Sequence, residues 1–441
     1  MRTKLWNDWG FCKLGLEEGK ALEPHDLAPE RYEPVTLPHD WLIFNTEALY
    51  EDSVGFYRRE LDLHQATPEE QFKLIFEGVY QDSSVYINGK LVKEWKYGYS
   101  SFSADLTPHI QPGTNTIDVK VVHEAPNSRW YSGAGIYRPV WLQRKPKLHF
   151  ALDGIYAYSE VSLGDIQGTN HVRLEVQAEL AGWANDEEAR YLEIELRDHE
   201  HKLVAEQRIA VHSDRPELSL NLQDVRLWGP SDPYRYTLEL VLYEGEHQLD
   251  RERIRLGFRH IRMEANEGFF INGDYLRLHG MCQHHDLGLL GAAYHTAAAR
   301  RQLEILMEAG VNAIRTAHNM PAPDFLDLCD ELGLIVINEA FDMWRLPKTD
   351  YDYARFFDEW SARDVASWIR RDRNHPSVIM WSLGNEIYDT EANEDGLETL
   401  RYLKREVQKH DPKGHAVPTL GSNYMFGQLT QRAMDELKIV G

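Results

Sequence analysis

The sequence predicts a multidomain protein in which two antiparallel β-sandwiches precede a parallel β/α unit. Three observations lead there. At 441 residues the chain exceeds one ordinary core, and a domain per roughly 150 residues gives about three. Up to about residue 262 the apolar residues alternate with polar ones. Beyond it the pattern becomes strand, helix, strand, helix.

In the first part Ile117, Val119 and Val121 share one face of TIDVKVV, with Asp118 and Lys120 between them. Val172, Leu174 and Val176 repeat the pattern, as do Leu192, Ile194 and Leu196, then Leu238, Leu240 and Leu242. A period of two marks half-buried strands. Asn88-Gly89 after SVYI is a hairpin signal, because both residues tolerate positive φ. Many short strands without long helices predict sandwiches. A split near 145–150, where KPKL follows RPVWLQ, gives domains over 1–147 and 148–261, with no low-complexity linker and so direct packing between them.

The third domain, 262–441, opens on a hairpin turning at Asn272-Gly273 and runs into LRLHGMC. Thr296 is positioned to cap a helix with Leu303, Leu306 and Met307 inward and Gly310 as its stop. Strands follow at 313–317, 335–340, 378–383 and 417–422, separated by helices from Pro323 to Gly333, over about 354–374 and over 397–410. The final IVG reads as the opening of a sixth strand. This alternation fits an open doubly wound sheet or a barrel. No glycine-rich fingerprint follows the first strand, so nucleotide binding has no support. The barrel is favoured by where the polar residues fall. His284, His285, Arg315, His318, Asn319, Glu339, Asp342, Asn385 and Glu386 all lie at or after strand carboxyl ends, the face that carries barrel active sites.

Composition narrows the partners. With 48 basic against 71 acidic residues the net charge is −23, which repels nucleic acid and anionic membrane. Cys12, Cys282 and Cys329 are scattered and form neither a zinc spacing nor a disulfide framework. The start MRTKLWNDWG has no apolar core of a signal peptide, and nowhere do 18 apolar residues run together. A cytoplasmic protein without a cofactor and with room for homo-oligomerisation is the expectation.

The chemistry concentrates in SLGNE, 382–386. A glycosidic oxygen leaves poorly unless protonated, and Glu386 at a barrel mouth would be the acid, with Asn385 bonding a neighbouring sugar hydroxyl. The competing reading makes Asn385-Glu386 a polar helix start. Arg315 inside a strand needs a carboxylate partner. Glu339, ending the next strand, is the candidate, so these two read as a structural ion pair, while His318 is freer to meet a ligand. QHHD, 283–286, raises metal ligation, but adjacent histidines on an extended segment point apart, and hydroxyl recognition by His284 is favoured. Trp344, four residues past a strand end, is expected to be exposed at the mouth and to stack on sugar.

Eight motifs, in this order, resemble glycoside hydrolase family 2: LPHDW (37–41), NSRWYSGAGIYRPVW (127–141), LWGPSDPYRY (227–236), GFRHI (257–261), HGMCQHHDLG (279–288), NAIRTAHN (312–319), NEAFDMW (338–344) and RDRNHPSVIMWSLGNE (371–386). The resemblance implies a jelly-roll sugar-binding domain, an immunoglobulin-like sandwich and a (β/α)8 TIM barrel, with retaining hydrolysis. It assigns Glu386 as acid/base, and Asn385, His318 and His284 to the sugar; Asp342, by its place at the same strand-end site, is also expected to bind substrate. Its first-domain loop into the site corresponds to Asn127-Ser128-Arg129, which gives Arg129 a substrate-binding place. Met343 and Arg345 stand where related enzymes carry magnesium ligands, so no metal site is implied. The QHHDLG and NSRWYSGAGIYR motifs look most like bacterial β-galactosidases. β-Glucuronidases, other exo-β-glycosidases of the family or a carbohydrate-binding scaffold are the alternatives.

The resemblance places the nucleophile on a seventh strand, whereas this sequence ends at Gly441. Glu391, Glu394, Glu398 and Glu406 are expected to face away from the site and Glu436 to lie on the opposite rim. The reading at this stage is a barrel incomplete in this chain, truncated within the catalytic domain and inactive alone.

Overall fold

A computed structural model describes residues 2–64, 67–164, 169–184, 188–424 and 426–437. The first sandwich pairs a six-stranded sheet, whose central strands are Ser53–Asp62 and Thr114–His123, with a four-stranded sheet centred on Val140–Pro146 and Glu70–Phe76. Asn88 (φ 51°) and Gly89 (φ 75°) make the expected turn between Ser83–Ile87 and Lys90–Trp95. Alternation understates burial here. Ile117, Val119 and Val121 are buried, but so are Asp118 and Lys120. The segment at 16–32 covers their face, and Lys120 Nζ donates to Leu22 O at 2.7 Å while Arg58 Nε donates to Asp118 at 2.6 Å.

The second sandwich is built from a three-stranded and a four-stranded antiparallel sheet between His149 and Leu256. Val172, Leu174 and Val176 point into its own core, with Leu192, Ile194, Leu196, Leu238, Leu240 and Leu242 from the facing sheet. Here the period of two reports burial faithfully, since Arg173 is exposed and Glu175 half-buried.

After the hairpin at Asn272-Gly273 come five parallel strands in sequential order, Gly280–Gln283, Ala313–Thr316, Ile335–Glu339, Val378–Asn385 and Val417–Gly421. Helices Thr296–Glu308, Pro323–Leu332, Phe357–Asp372, Glu394–His410 and Gln428–Leu437 lie between and after them. This is part of a barrel wall, and the expected sixth strand at IVG lies outside the described residues. Thr296 is not a cap: His295 holds that place without a side-chain bond, and Thr296 Oγ1 donates to Asp324 at 2.8 Å. Gly333 ends its helix in the left-handed conformation at φ 76°, as expected. Among the described residues, no helix is long and apolar enough to cross a membrane.

The first sandwich and the barrel share one continuous hydrophobic core. Arg138, 1 % exposed, stitches them by donating to Tyr99 O and to Met320 O, both at 2.8 Å. Tyr97 OH donates to Ala340 O at 2.5 Å, directly below the third strand's end. The second sandwich meets the barrel through Trp228 Nε1, which donates to Asp330 O at 2.9 Å, and Tyr156 OH, which donates to Asp411 at 2.7 Å.

Candidate active site

The fourth barrel strand runs through Asn385, and the next residue, Glu386, leaves it with φ 47°. Among the described residues, the other non-glycine residues at positive φ are Asp, Asn or His, which tolerate that region. Glu386 is the exception, held there by its own N–H donating to Gly421 O at 2.7 Å. A strained backbone at a strand end aims the side chain out of the ladder. Its carboxylate is about one-third exposed and accepts from Arg129 Nη1 at 3.1 Å. Glu386 therefore does not start a helix: the following short helix begins at Asp389.

Arg129 arrives from the first sandwich. Its Nε and Nη2 donate to the two oxygens of Asp342 at 3.0 and 2.7 Å, a two-pronged pair that these bonds strengthen by raising the guanidinium's affinity for its proton. Asp342, expected to meet substrate, is instead 2 % exposed, and it also accepts from Asn385 Nδ2 at 2.8 Å and Lys348 Nζ at 3.0 Å. Lys348 is itself sealed, donates to Asn385 O at 2.8 Å, and burial pulls its pKa below the usual lysine value despite Asp342.

A second network lies one strand back. Arg315 donates to Glu339 Oε2 through Nε at 3.0 Å and Nη2 at 2.8 Å, so the ion pair read from sequence forms. Burial works against the Arg315 charge, but Glu339 more than offsets it. Glu339 is fully buried, accepts from Ser382 Oγ at 2.5 Å, and its Oε1 lies 2.7 Å from His318 Nδ1. Arg315 Nη2 also donates to Asn385 Oδ1 at 2.8 Å, which joins the two networks through Asn385. A Cβ on Gly421 would lie 2.1 Å from Arg315 Nη2, so a larger residue there would push the guanidinium from its place.

One side of this cluster is aromatic. The Trp130 ring lies 5.1 Å from His284 and 5.7 Å from His318, and the two histidines lie 5.5 Å apart edge to face. Trp130 Nε1 donates to Tyr99 OH at 3.2 Å. Burial, then His318, lowers the His284 pKa and favours a neutral ring. His285 points the other way, with Nε2 3.0 Å from Ser132 O, and burial pushes its pKa down to about 3.

The structure thus gathers Glu386, Asn385, Asp342, Arg129, Arg315, Glu339, His318 and His284 in one place. It separates Trp344, whose expected exposure is wrong. That ring is fully buried, donates from Nε1 to Leu383 O at 2.9 Å and packs near Phe357. The third strand ends at Glu339, and the indole packs against the fourth strand at Leu383 and Gly384. Glu406 is buried on its helix and accepts from Lys409. Glu436 pairs with Arg401, 2.9 Å from its Nε, away from Glu386. Trp130 and Lys348 were not assigned from sequence. Trp130 could have been found beside Arg129 in the loop motif, whereas nothing in the spacing marks Lys348.

Arg345, where a metal ligand would be sought, reaches Asp358 at 2.5 Å. Among the described residues, the one group with convergent ligand atoms is Asp327, Asp330 and His375, outside this site. His375 Nδ1 lies 2.7 Å from Asp330, an ion pair in its own right.

Three consecutive family models match the chain: glycosyl hydrolases family 2, sugar binding domain, over 29–146; glycosyl hydrolases family 2 over 161–259; and glycosyl hydrolases family 2, TIM barrel domain, over 261–413. The chain belongs to glycoside hydrolase family 2. Its similarity to beta-galactosidase BoGH2A of Bacteroides ovatus is 40 % identity over 399 residues, covering 87 % of this chain and 46 % of that protein. A putative beta-glucuronidase of Formosa agariphila is 32 % identical over 406 residues, covering 89 % and 38 %. A solved family 2 member from Bacteroides cellulosilyticus superposes with a TM-score of 0.91 at 33 % identity, covering all of this chain and 58 % of that one. The chain spans about half or less of the length of these curated relatives. The family accounts for the jelly-roll, immunoglobulin-like and barrel architecture together.

Proposed function

We propose that this chain carries the acid/base half of a retaining glycosidase for terminal β-D-galactosides. One observation carries the reading: of the carboxylates gathered at the strand ends, Glu386 alone is open to a ligand, while Glu339 and Asp342 are buried and neutralised. A carboxyl group so placed protonates the leaving oxygen as the glycosidic bond breaks, then takes a proton from water as the glycosyl-enzyme hydrolyses. Asn385, held at both ends of its amide, keeps a fixed position beside it, and Trp130 with His318 and His284 offers an apolar face and ring nitrogens for a pyranose.

Retention needs a second carboxylate about 5–5.5 Å away as nucleophile. Glu339 and Asp342 are each committed to cations, so we propose that the nucleophile comes from outside these 441 residues. A neutral glycone is favoured over a uronate. The strand-end cations Arg129, Lys348 and Arg315 are all satisfied by Asp342 or Glu339, leaving no uncommitted charge among them for a sugar carboxylate. The similarity to beta-galactosidase BoGH2A supports the same choice.

The test is p-nitrophenyl β-D-galactoside hydrolysis with galactose titration. The chain is expected to bind galactose, to lose binding on His318→Ala, and to show no turnover above Glu386→Gln. Turnover by the chain that Glu386→Gln abolishes would refute the external nucleophile, and galactose affinity indifferent to His318 would refute the site.

A further inference from the structure

The ion pair with Arg315 occupies only one of the two Glu339 oxygens. Oε2 takes both Arg315 bonds and the Ser382 hydroxyl at 2.5 Å, while Oε1 lies 2.7 Å from His318 Nδ1. The carboxylate is fully buried, and Glu339 N–H donates to Thr316 Oγ1 at 2.9 Å, so neither backbone nor side chain is free to turn. Three donor bonds on one oxygen therefore aim the other at the histidine. We propose that Glu339 is a positioning residue: it fixes the hydrogen of His318 on Nδ1 and leaves Nε2 as an acceptor toward the ligand.

A carboxylate has no hydrogen to give, so the ring nitrogen facing it carries one. A neutral imidazole holds a single N–H, and its other nitrogen keeps a lone pair. Among the described residues His318 Nε2 has no protein partner, and the side chain keeps 17 % of its surface open. That lone pair is free for a ligand beside Trp130. His284 is held differently. Its Nδ1 is buried without a partner among the described residues, so no carboxylate sets its hydrogen. The two rings stand edge to face at 5.5 Å, yet only His318 has a fixed polarity.

A lone pair selects a hydroxyl that donates. At the sugar position facing Nε2, hydrogen or fluorine in place of the hydroxyl removes that donor equally. An N–H at Nε2 would instead tell the two apart and favour fluorine, which still accepts. An acceptor left without its donor weakens binding by about fivefold or more.

This inference rests on the reading of the site as a galactoside site, and the experiment separates the two. At about pH 8, above the ordinary histidine range, the full chain is titrated calorimetrically with galactose and with its deoxy and deoxyfluoro forms at carbons 2, 3, 4 and 6. At one position both replacements are expected to weaken binding about fivefold or more, and equally. In Glu339→Gln the amide oxygen stays with Arg315 and Ser382, and its NH2 turns to His318 and drives the hydrogen to Nε2. There the fluoro sugar is expected to bind better than the deoxy sugar. Fluorine that already restores binding at every position of the parent overturns the proposal. Nitrogen-15 histidine spectra of the parent decide it without the variant. The signals that His318→Ala removes are expected to show a protonated Nδ1 and a bare Nε2, the reverse of neutral histidine in water. A bare Nδ1, or hydrogens on both nitrogens, overturns it. The Nδ1–H form without any galactose binding would uphold the hold of Glu339 on His318 and count against the galactoside reading instead.

Discussion

Arg129, from a loop of the first sandwich, and Glu386, at the end of the fourth barrel strand, meet at 3.1 Å, so the candidate site is assembled across a domain boundary. The guanidinium bridges Glu386 to Asp342 and so ties the acid/base candidate to the buried network beneath it. Arg129→Met should weaken galactose binding roughly tenfold while shifting stability by less than about 1 kcal/mol, because the side chain is partly exposed. Calorimetry and chemical denaturation of the same variant check both halves.

The buried pair Lys348–Asp342 behaves differently. Removing one member of a buried pair typically costs about 3–5 kcal/mol by stranding the other. Asp342→Ala strands Lys348 and removes the acceptor for Asn385 and Arg129, so the upper end is expected. Lys348→Met leaves Asp342 with Arg129 and Asn385, and the expected loss is smaller, about 2 kcal/mol. Urea midpoints in that order support the network, and equal midpoints would contradict it.

Two tryptophans separate packing from recognition. Trp344→Phe should lower stability by about 1–3 kcal/mol with sugar affinity unchanged, since the ring is sealed. Trp130→Ala, half-buried beside His284 and His318, should cost affinity by about tenfold or more with a small effect on melting.

Glu77 predicts a pH signature. Burial, reinforced by Asp324, raises its carboxyl from 4.5 to about 7 in the fold. The folded state therefore holds its proton longer than the unfolded state, and the associated stability is present below pH 4.5 and lost as pH rises through about 7. Glu77→Gln, which can still accept from Trp141, should match the parent near pH 4.5 and exceed it at pH 8 by on the order of 2 kcal/mol. Denaturation curves at the two pH values check the sign. A variant no more stable at pH 8 than at 4.5, relative to the parent, would show that the carboxyl is ordinary.

Much of the architecture was legible because it rests on short-range pattern. Alternating leucines and valines mark the second sandwich, Asn-Gly pairs mark hairpins, and Pro323 and Gly333 bracket a helix whose inner face is apolar. The Arg315–Glu339 pair was legible because a charge inside a barrel strand demands a partner on the next. What failed depended on long-range covering. Asp118 and Lys120 read as solvent-facing but are covered by the 16–32 segment. Trp344 read as exposed because loop direction after a strand is not encoded in spacing. Arg138 shows the limit of the pairing rule, since it is buried on four backbone carbonyls with no carboxylate in its hydrogen bonds. Lys348 was invisible for the same reason: only the fold brings it under Asn385.

The most direct test of the central claim is a crystal structure of the chain soaked with galactose. The account predicts the sugar against Trp130 and His318, with its anomeric oxygen within hydrogen-bond reach, about 3 Å, of the Glu386 carboxylate. Galactose bound with Glu386 turned away from that oxygen, or a Glu386 side chain covered by packed protein, would contradict it.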